Sequence, residues 1–184
     1  MTSTRIETVA AELLSKRRIA EPPVPVHDLA SAVGATLRIG PLEGELSGFL
    51  LRREGTTIIG VNSLHARTRQ RFTIGHEIGH LLLHNCTEHI DRGMSFYFRD
   101  QRSSRAEIKQ EIEANQFAAE LLMPRKMVDA TIPKSVDLFD DALLSDLASR
   151  FEVSVQALTY RLTNLGFARP RVRANPAKRR RAVG

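Results

Sequence analysis

The sequence is poor in cysteine, in large aromatic side chains and in long apolar runs. Of its 184 residues, one is cysteine, none is tryptophan and two are tyrosine. A single cysteine, Cys86, excludes an intrachain disulfide and fits a reducing compartment. The apolar runs, such as residues 81–83, are far too short to span a bilayer, and the N-terminus lacks the apolar segment of a signal peptide. We therefore expect a cytoplasmic protein without membrane contact.

Positive charge is concentrated at the C-terminus. The formal net charge is +6, and residues 169–184 hold seven basic side chains and no acidic one. The rest of the chain is close to neutral and gives no electrostatic sign of DNA binding. We predict that residues 169–184 form a disordered basic tail, which could contact nucleic acid or an acidic partner by charge attraction. The alternative is a terminus that is merely solvated.

The order of predicted elements is helix, small sheet, then helices. Hydrophobic spacing predicts helices at 5–18, 28–33, 67–84, 104–123, 142–151 and 155–165, and strands at 35–39, 48–51 and 57–61. Residues 52–55 are expected to form a hairpin turn, and residues 89–102 a loop because they show no clear period. This order predicts an α+β fold, with a small and mostly antiparallel sheet packed on helices.

Three regions are predicted along the chain. Residues 1–133 form the core with its N-terminal helices, residues 134–168 form a helical subregion that resembles a helix-turn-helix, and residues 169–184 are the basic tail.

The pattern His76-Glu77-Ile78-Gly79-His80 has the spacing of a metal site on a helix. Residues four apart lie on one helical face, so the imidazoles of His76 and His80 can bind one metal ion. Glu77 lies beside them and can act on a water molecule without becoming a ligand. Gly79 removes a side chain next to the site, where another backbone or a substrate could approach. The alternative is two histidines that are solvated or buried in the core of an amphipathic helix.

A catalytic zinc ion usually takes three protein ligands and leaves a fourth position to water, so a further ligand is needed. The helix at 104–123 offers Glu111 and Glu113. Its predicted buried face consists of Ile108, Ile112, Asn115, Ala119 and Leu122. Glu111 falls at the edge of this face and Glu113 points away from it. We therefore predict Glu111 as the third ligand, with Asn115 in support; a salt bridge to an arginine is the alternative for Glu111.

Four other residues of ligand type are not assigned to the metal. His84 lies one turn beyond His80, but the outer two of three histidines in line on a straight helix are about 11 Å apart. We expect His84 at a helix end, where the dipole favours a cation. His65 and His89 are expected in loops, and Cys86 as a small buried residue. A His₂Glu ligand set suits Zn²⁺, with Mn²⁺ or another divalent ion as the alternative.

Two stretches together resemble the ImmA/IrrE family of metallo-endopeptidases. These are residues 71–84, RFTIGHEIGHLLLH, and residues 111–124, EIEANQFAAELLMP, and the resemblance extends over residues from about 25 to 165. It implies a compact zincin-like domain with a divalent metal, usually zinc. The family's third ligand, three positions before the Ala of Ala-Asn, is Glu111 here, in agreement with the choice made from helix geometry.

The resemblance also implies an intracellular endopeptidase that cuts a helix-turn-helix transcriptional repressor and so activates mobile-element or stress-response genes. In the expected mechanism Glu77 is the catalytic base, which takes a proton from water and passes it to the leaving amine. Tyr97 or His89 is expected to stabilise the oxyanion. The strand at 48–51 is expected to pair with an extended substrate.

Two other functions remain open. Residues 144–158 resemble a helix-turn-helix, so a DNA-binding regulator could present Gln156, Thr159 and Arg161 to DNA. Against this reading, the same helices could simply pack on the protease core. A metal-bearing scaffold that binds a repressor without cutting it is the third function.

Overall fold

The structure is a computed structural model that describes residues 3–44, 46–84, 87–91, 105–132 and 136–167. In these ranges it has seven α-helices, one π-helical turn and a four-stranded sheet, which confirms the predicted α+β class. None of the described helices has the length and apolar character needed to cross a membrane. In chain order the elements are α1 (Ser3–Lys16), α2 (Val26–Ala32), β1 (Ala35–Gly40), β2 (Gly48–Arg53), β3 (Thr56–Asn62), α3 (Arg67–Gly79), the π-helical turn (His80–His84), β4 (Glu88–Asp91), α4 (Arg105–Leu122), α5 (Arg125–Thr131), α6 (Asp141–Phe151) and α7 (Val155–Leu165).

The strands lie in the order β1-β3-β2-β4. Strand β1 runs parallel to β3, whereas β2 is antiparallel to both β3 and β4, so the sheet is mostly antiparallel as predicted. The β2–β3 hairpin turns at Glu54 and Gly55, whose φ angles of 49° and 77° suit a two-residue turn that matches the strand twist. Because β2 has a partner on each side, the prediction that a substrate adds to residues 48–51 is wrong.

Helices α3 and α4 approach closely at two glycines. A Cβ added to Gly79 would lie 3.2 Å from the Cα of Ala114, and one added to Gly75 would lie 3.4 Å from the Cα of Ala118. The absence of a side chain at Gly79 thus lets another backbone approach, as expected. This close crossing brings the first half of α4 beside the end of α3.

The buried face of α4 differs from the predicted one. Ile112 is 48% exposed, whereas Glu111, Ala114, Ala118 and Leu121 are all buried. The face of α4 that is buried is the one that contacts Gly75 and Gly79 of α3. The sequence of α4 alone does not show which face makes this contact. Glu111 therefore lies within the buried face, not at its edge.

Glu113 is also buried, contrary to the prediction that it points away from the core, and Glu120 is buried as well. Glu113 lies 3.7 Å from the Nδ1 atom of His84. Glu120 is paired with Arg161 of α7.

The two C-terminal helices are anchored to the rest of the chain by buried arginines. Arg161 of α7 pairs with Glu120 of α4 and donates from Nε to the carbonyl of Met123 at 2.9 Å. Arg71 of α3 donates to the carbonyls of Glu152 and Val24, at 3.1 and 2.9 Å. The helix pair at 144–158 is thus packed on α3 and α4. The region boundaries at 133 and 168 stay predictions, and the basic tail lies outside the described residues.

Two local predictions need correction. The expected loop at 89–102 begins as a strand, because residues Glu88–Asp91 form β4; residues 92–104 lie outside the described ranges. The single helix predicted at 67–84 is α3 followed by a π-helical turn at His80–His84. Such wider turns are frequent at functional sites.

Candidate metal centre

His76 and His80 face each other where α3 passes into the π-helical turn. Their Nε2 atoms are 3.0 Å apart, and the two residues are 2% and 1% exposed. The four-residue spacing thus places both imidazoles on one face, as predicted. Two buried imidazole nitrogens directed at one point are suited to a shared cation.

Glu111 reaches the same point from α4. Its Oε2 lies 3.4 Å from Nε2 of His76, and its Oε1 lies 3.1 Å from Nε2 of His80. Ligand atoms bound 2.0–2.1 Å from a tetrahedral zinc ion are about 3.3 Å from one another. The three predicted ligands are therefore brought together at separations that fit one such ion.

Asn115 lies one turn after Glu111 and contacts His76. Its Oδ1 is 3.1 Å from Nδ1 of His76, so the ring can donate a proton there and keep Nε2 unprotonated. Histidines that bind metals commonly have their outer nitrogen held in this way. The expected supporting role of Asn115 is thus consistent with its position.

Glu77 is completely buried beside these residues. Its Oε2 lies 3.1 Å from Nδ1 of His89, and its Oε1 has no hydrogen-bond partner among the described residues. Burial raises the pKa of Glu77, against the lowering effect of His89. A carboxylate with a raised pKa and one uncommitted oxygen is suited to accept a proton from water.

His89 joins the cluster from β4, where the sequence predicted a loop. Its Nε2 lies 2.6 Å from Oε1 of Glu111, and its ring stacks on that of His80 with centroids 3.6 Å apart. His76, His80, His89 and Glu111 each offer one ligand atom, and these four atoms lie within 4.8 Å of one another. This group could hold a metal ion, and it includes His89, which the sequence analysis did not assign to the metal.

The position of His89 follows from strand pairing. On β4 it lies opposite Leu50 of β2, and the four residues of β4 are too few to show a period. The one sequence feature that could have indicated a strand here is the alternation of polar His89 and Asp91 with apolar Ile90. Asp91 was missed for the same reason; it is buried, and it forms a second possible ligand group with His76 and Glu77.

Charges within the cluster set its protonation. Although burial acts in the opposite direction, hydrogen bonds with Glu111 and Glu77 raise the pKa of His89 to about 10. Burial, together with the charges of His89 and His76, lowers the pKa of His80 to about 3. Contacts with the three histidines outweigh burial and hold the pKa of Glu111 well below its usual range. A neutral His80 and an ionised Glu111 are the states that metal binding requires.

The remaining candidates are not members of either ligand group or lie outside the described residues. His84 donates from Nε2 to the carbonyl of Gln110 at 3.2 Å, and burial lowers its pKa, so the cation expected at a helix end is not favoured. His65 lies in the turn before α3 and is not in either ligand group. Cys86 and Tyr97 lie outside the described residues, so their expected roles stay predictions.

The family model of the IrrE N-terminal-like domain, a peptidase family, matches residues 30–163. The chain belongs to this family. Membership in this family confirms the ImmA/IrrE resemblance found in the sequence and supports metallopeptidase activity in general.

Two relatives illustrate the range of similar proteins. An uncharacterized immunity region protein of Bacillus phage phi105 is 28% identical over 142 residues, which are 77% of this chain and 83% of the phage protein. A solved structure described as a Mycobacterium tuberculosis transcriptional regulator matches with a TM-score of 0.60 and 19% identity, over 91% of this chain and 48% of that one. This chain thus spans about half the length of the solved structure, and that likeness shows the fold alone.

Proposed function

We propose that this chain is a cytoplasmic metal-dependent endopeptidase that cleaves a helix-turn-helix repressor and thereby activates mobile-element or stress-response genes. The observation that carries the proposal is the buried cluster of His76, His80 and Glu111 with Glu77 at its side. A cluster that only stabilised the fold would not require a buried carboxylate with an uncommitted oxygen beside it. Family membership supports the reaction class.

The proposed metal ligands are His76, His80 and Glu111. The two Nε2 atoms are 3.0 Å apart, Oε2 of Glu111 lies 3.4 Å from that of His76, and Oε1 lies 3.1 Å from that of His80, which are separations close to those around a tetrahedral ion. The buried Oε2 of Glu111 has no hydrogen bond from the described residues. Zn²⁺ is the ion that this ligand set suits best, with Mn²⁺ or another divalent ion as the alternative. When bound, such an ion supplies Lewis acidity, which activates water and polarises a peptide carbonyl.

Glu77 is the proposed catalytic base. Its Oε1 accepts a proton from the attacking water, and the same carboxyl group then gives the proton to the leaving amine. The raised pKa of Glu77, caused by burial, makes it a stronger base than an exposed glutamate. Because His89 contacts Oε2, the oxygen that receives the proton is the other one.

A regulatory protein is the proposed substrate. The phage relative is named as an immunity region protein. This name supports a role in relieving repression, which is also what the ImmA/IrrE resemblance implies.

The structure gives little support to a DNA-binding function. Arg161, one of three side chains considered for DNA contact, is buried against Glu120 and Met123. Thr159 uses its hydroxyl to bond the carbonyl of Val155, which leaves Gln156 as the exposed member. The possible contact of residues 169–184 with nucleic acid stays a prediction.

The decisive experiment incubates the purified chain with a repressor encoded beside it, with and without added Zn²⁺. Wild type should remove the intact repressor only when metal is present. Glu77→Gln should retain metal but cleave about 10²–10⁴-fold more slowly, since it removes the base. Stable binding of an uncut repressor by metal-loaded wild type would indicate the scaffold function. Equal cleavage by both proteins would refute the role of Glu77.

A further inference from the structure

The two ring nitrogens of His89 are placed much like those of His76, with one nitrogen beside a polar side chain and the other facing the cluster. In His76 one ring nitrogen is held by Asn115 and the other faces the cluster. In His89 the Nδ1 atom is 3.1 Å from Glu77, and the Nε2 atom is 2.6 Å from Glu111. A carboxylate behind the outer nitrogen is a common support for metal-binding histidines, because it fixes both ring orientation and tautomer.

His89 is also the outermost member of the cluster. Its side chain is 11% exposed, whereas those of His76, His80 and Glu111 are 1–3% exposed. Its ring lies flat against that of His80, with an angle of 21° between the two planes. His89 is thus the most exposed of the four residues.

We propose that His89 is a fourth protein ligand of the metal ion. In this closed form of the metal centre the protein fills all four ligand positions, and His89 must be displaced before hydrolysis. The inference rests on the proposed function, because it requires a metal ion bound by His76, His80 and Glu111. Four protein ligands are typical of structural zinc sites, while catalytic sites keep one position open. Release of the His89 imidazole would convert a closed site with four protein ligands into an open, catalytic site.

The same release would change the contacts of Glu77. In the closed form its Oε2 is engaged by His89, so the carboxylate that serves as base also holds the fourth ligand in place. Rotation of the His89 side chain away from the cluster frees this oxygen and the fourth position together. In the closed form, the state of the fourth ligand position and that of the Glu77 carboxylate therefore both depend on the side chain of His89.

The test is X-ray absorption at the zinc edge on the full chain loaded with one equivalent of Zn²⁺. We expect three imidazole ligands in wild type and two in His89→Ala, with an oxygen ligand in the vacated position. His27→Gln is the matched control, because His27 is exposed and distant in sequence from the cluster, and it should show three. In competition with a chelator, His89→Ala should bind zinc at least about tenfold more weakly, as expected when a metal contact is lost.

The wild-type spectrum alone decides the inference, whether or not the variant folds. Two imidazoles in wild type would overturn the fourth-ligand role and show that His89 only bridges Glu77 and Glu111 by hydrogen bonds; the proposed function would stand. Failure of wild type to bind zinc would instead overturn the proposed metal site itself. Displacement has its own readout, because metal-saturated His89→Ala should cleave the repressor faster than wild type. Slower cleavage would contradict the closed form.

Discussion

Asn115 and His76 are joined by a contact of 3.1 Å between Oδ1 and Nδ1, across the interface of α3 and α4. In this contact Nδ1 of His76 faces the amide oxygen of Asn115, while Nε2 faces Glu111. Helix α4 thus carries the proposed ligand Glu111 and, one turn later, the side chain that contacts the proposed ligand His76. The metal affinity should depend on Asn115 although it never touches the ion.

Replacing Asn115 with alanine should weaken zinc binding by about 10–100-fold, the usual effect of removing such a supporting group. Competition with a fluorescent chelator measures this dissociation constant. Asn164→Ala is the control, since Asn164 is exposed on α7. An unchanged affinity in Asn115→Ala would mean that the contact does not orient His76.

The choice between two glutamates of α4 is tested by a matched pair of substitutions. Glu111→Gln should abolish tight zinc binding, because it removes the charged ligand that approaches both His76 and His80. Glu113→Gln should bind zinc as wild type does, because Glu113 faces His84 and Lys109 instead. Metal content after dialysis and thermal unfolding distinguish a lost ligand from a misfolded chain. Equal losses in the two variants would contradict the assignment of Glu111.

The sequence was informative where local spacing decides the structure. His76 and His80 share a face because they are four residues apart on one helix, and this holds even though α3 passes into a π-helical turn at His80. The hairpin predicted with its turn at residues 52–55 is present, although β2 extends to Arg53 and the turn itself is Glu54 and Gly55. These features depend on a few neighbouring residues.

The sequence was uninformative where distant elements decide the structure. His89 belongs to the cluster because β4 pairs with β2 in a register that sets it opposite Leu50, and a four-residue strand carries no signal of that register. The buried face of α4 was misjudged because the crossing at Gly75 and Gly79 selects it. In both cases the missing information lay in the partner element.

The metal-free protein should lose stability as the pH rises through the titration of His89. Its pKa is raised from 6.5 to about 10 in the fold, so the stabilisation is fully present below pH 6.5 and is lost as pH approaches 10. Each unit of such a shift corresponds to about 1.36 kcal/mol. Urea unfolding in a chelator should show that the difference between wild type and His89→Gln shrinks over this range. A difference that does not change with pH would show that His89 carries no charge in the fold.

The packing of α3 on α4 predicts opposite effects for two glycine-to-alanine substitutions on one helix. At Gly79 the new Cβ would lie 3.2 Å from both the Cα of Ala114 and the ring of Phe117, so these neighbours must move by a few tenths of an ångström. We expect Gly79→Ala to lower the free energy of unfolding by about 1–3 kcal/mol and to weaken zinc binding by shifting Glu111.

At Gly75 the new Cβ would meet Ala118 at 3.4 Å, an ordinary contact. Gly75→Ala should therefore be neutral or stabilising by up to about 1 kcal/mol, because alanine favours the helix over glycine. Urea unfolding of the zinc-free variants, followed by chelator competition, measures both effects. If the two substitutions changed stability in the same direction, close contact at Gly79 would not be what sets the distance between the helices, and the position of Glu111 would need another cause.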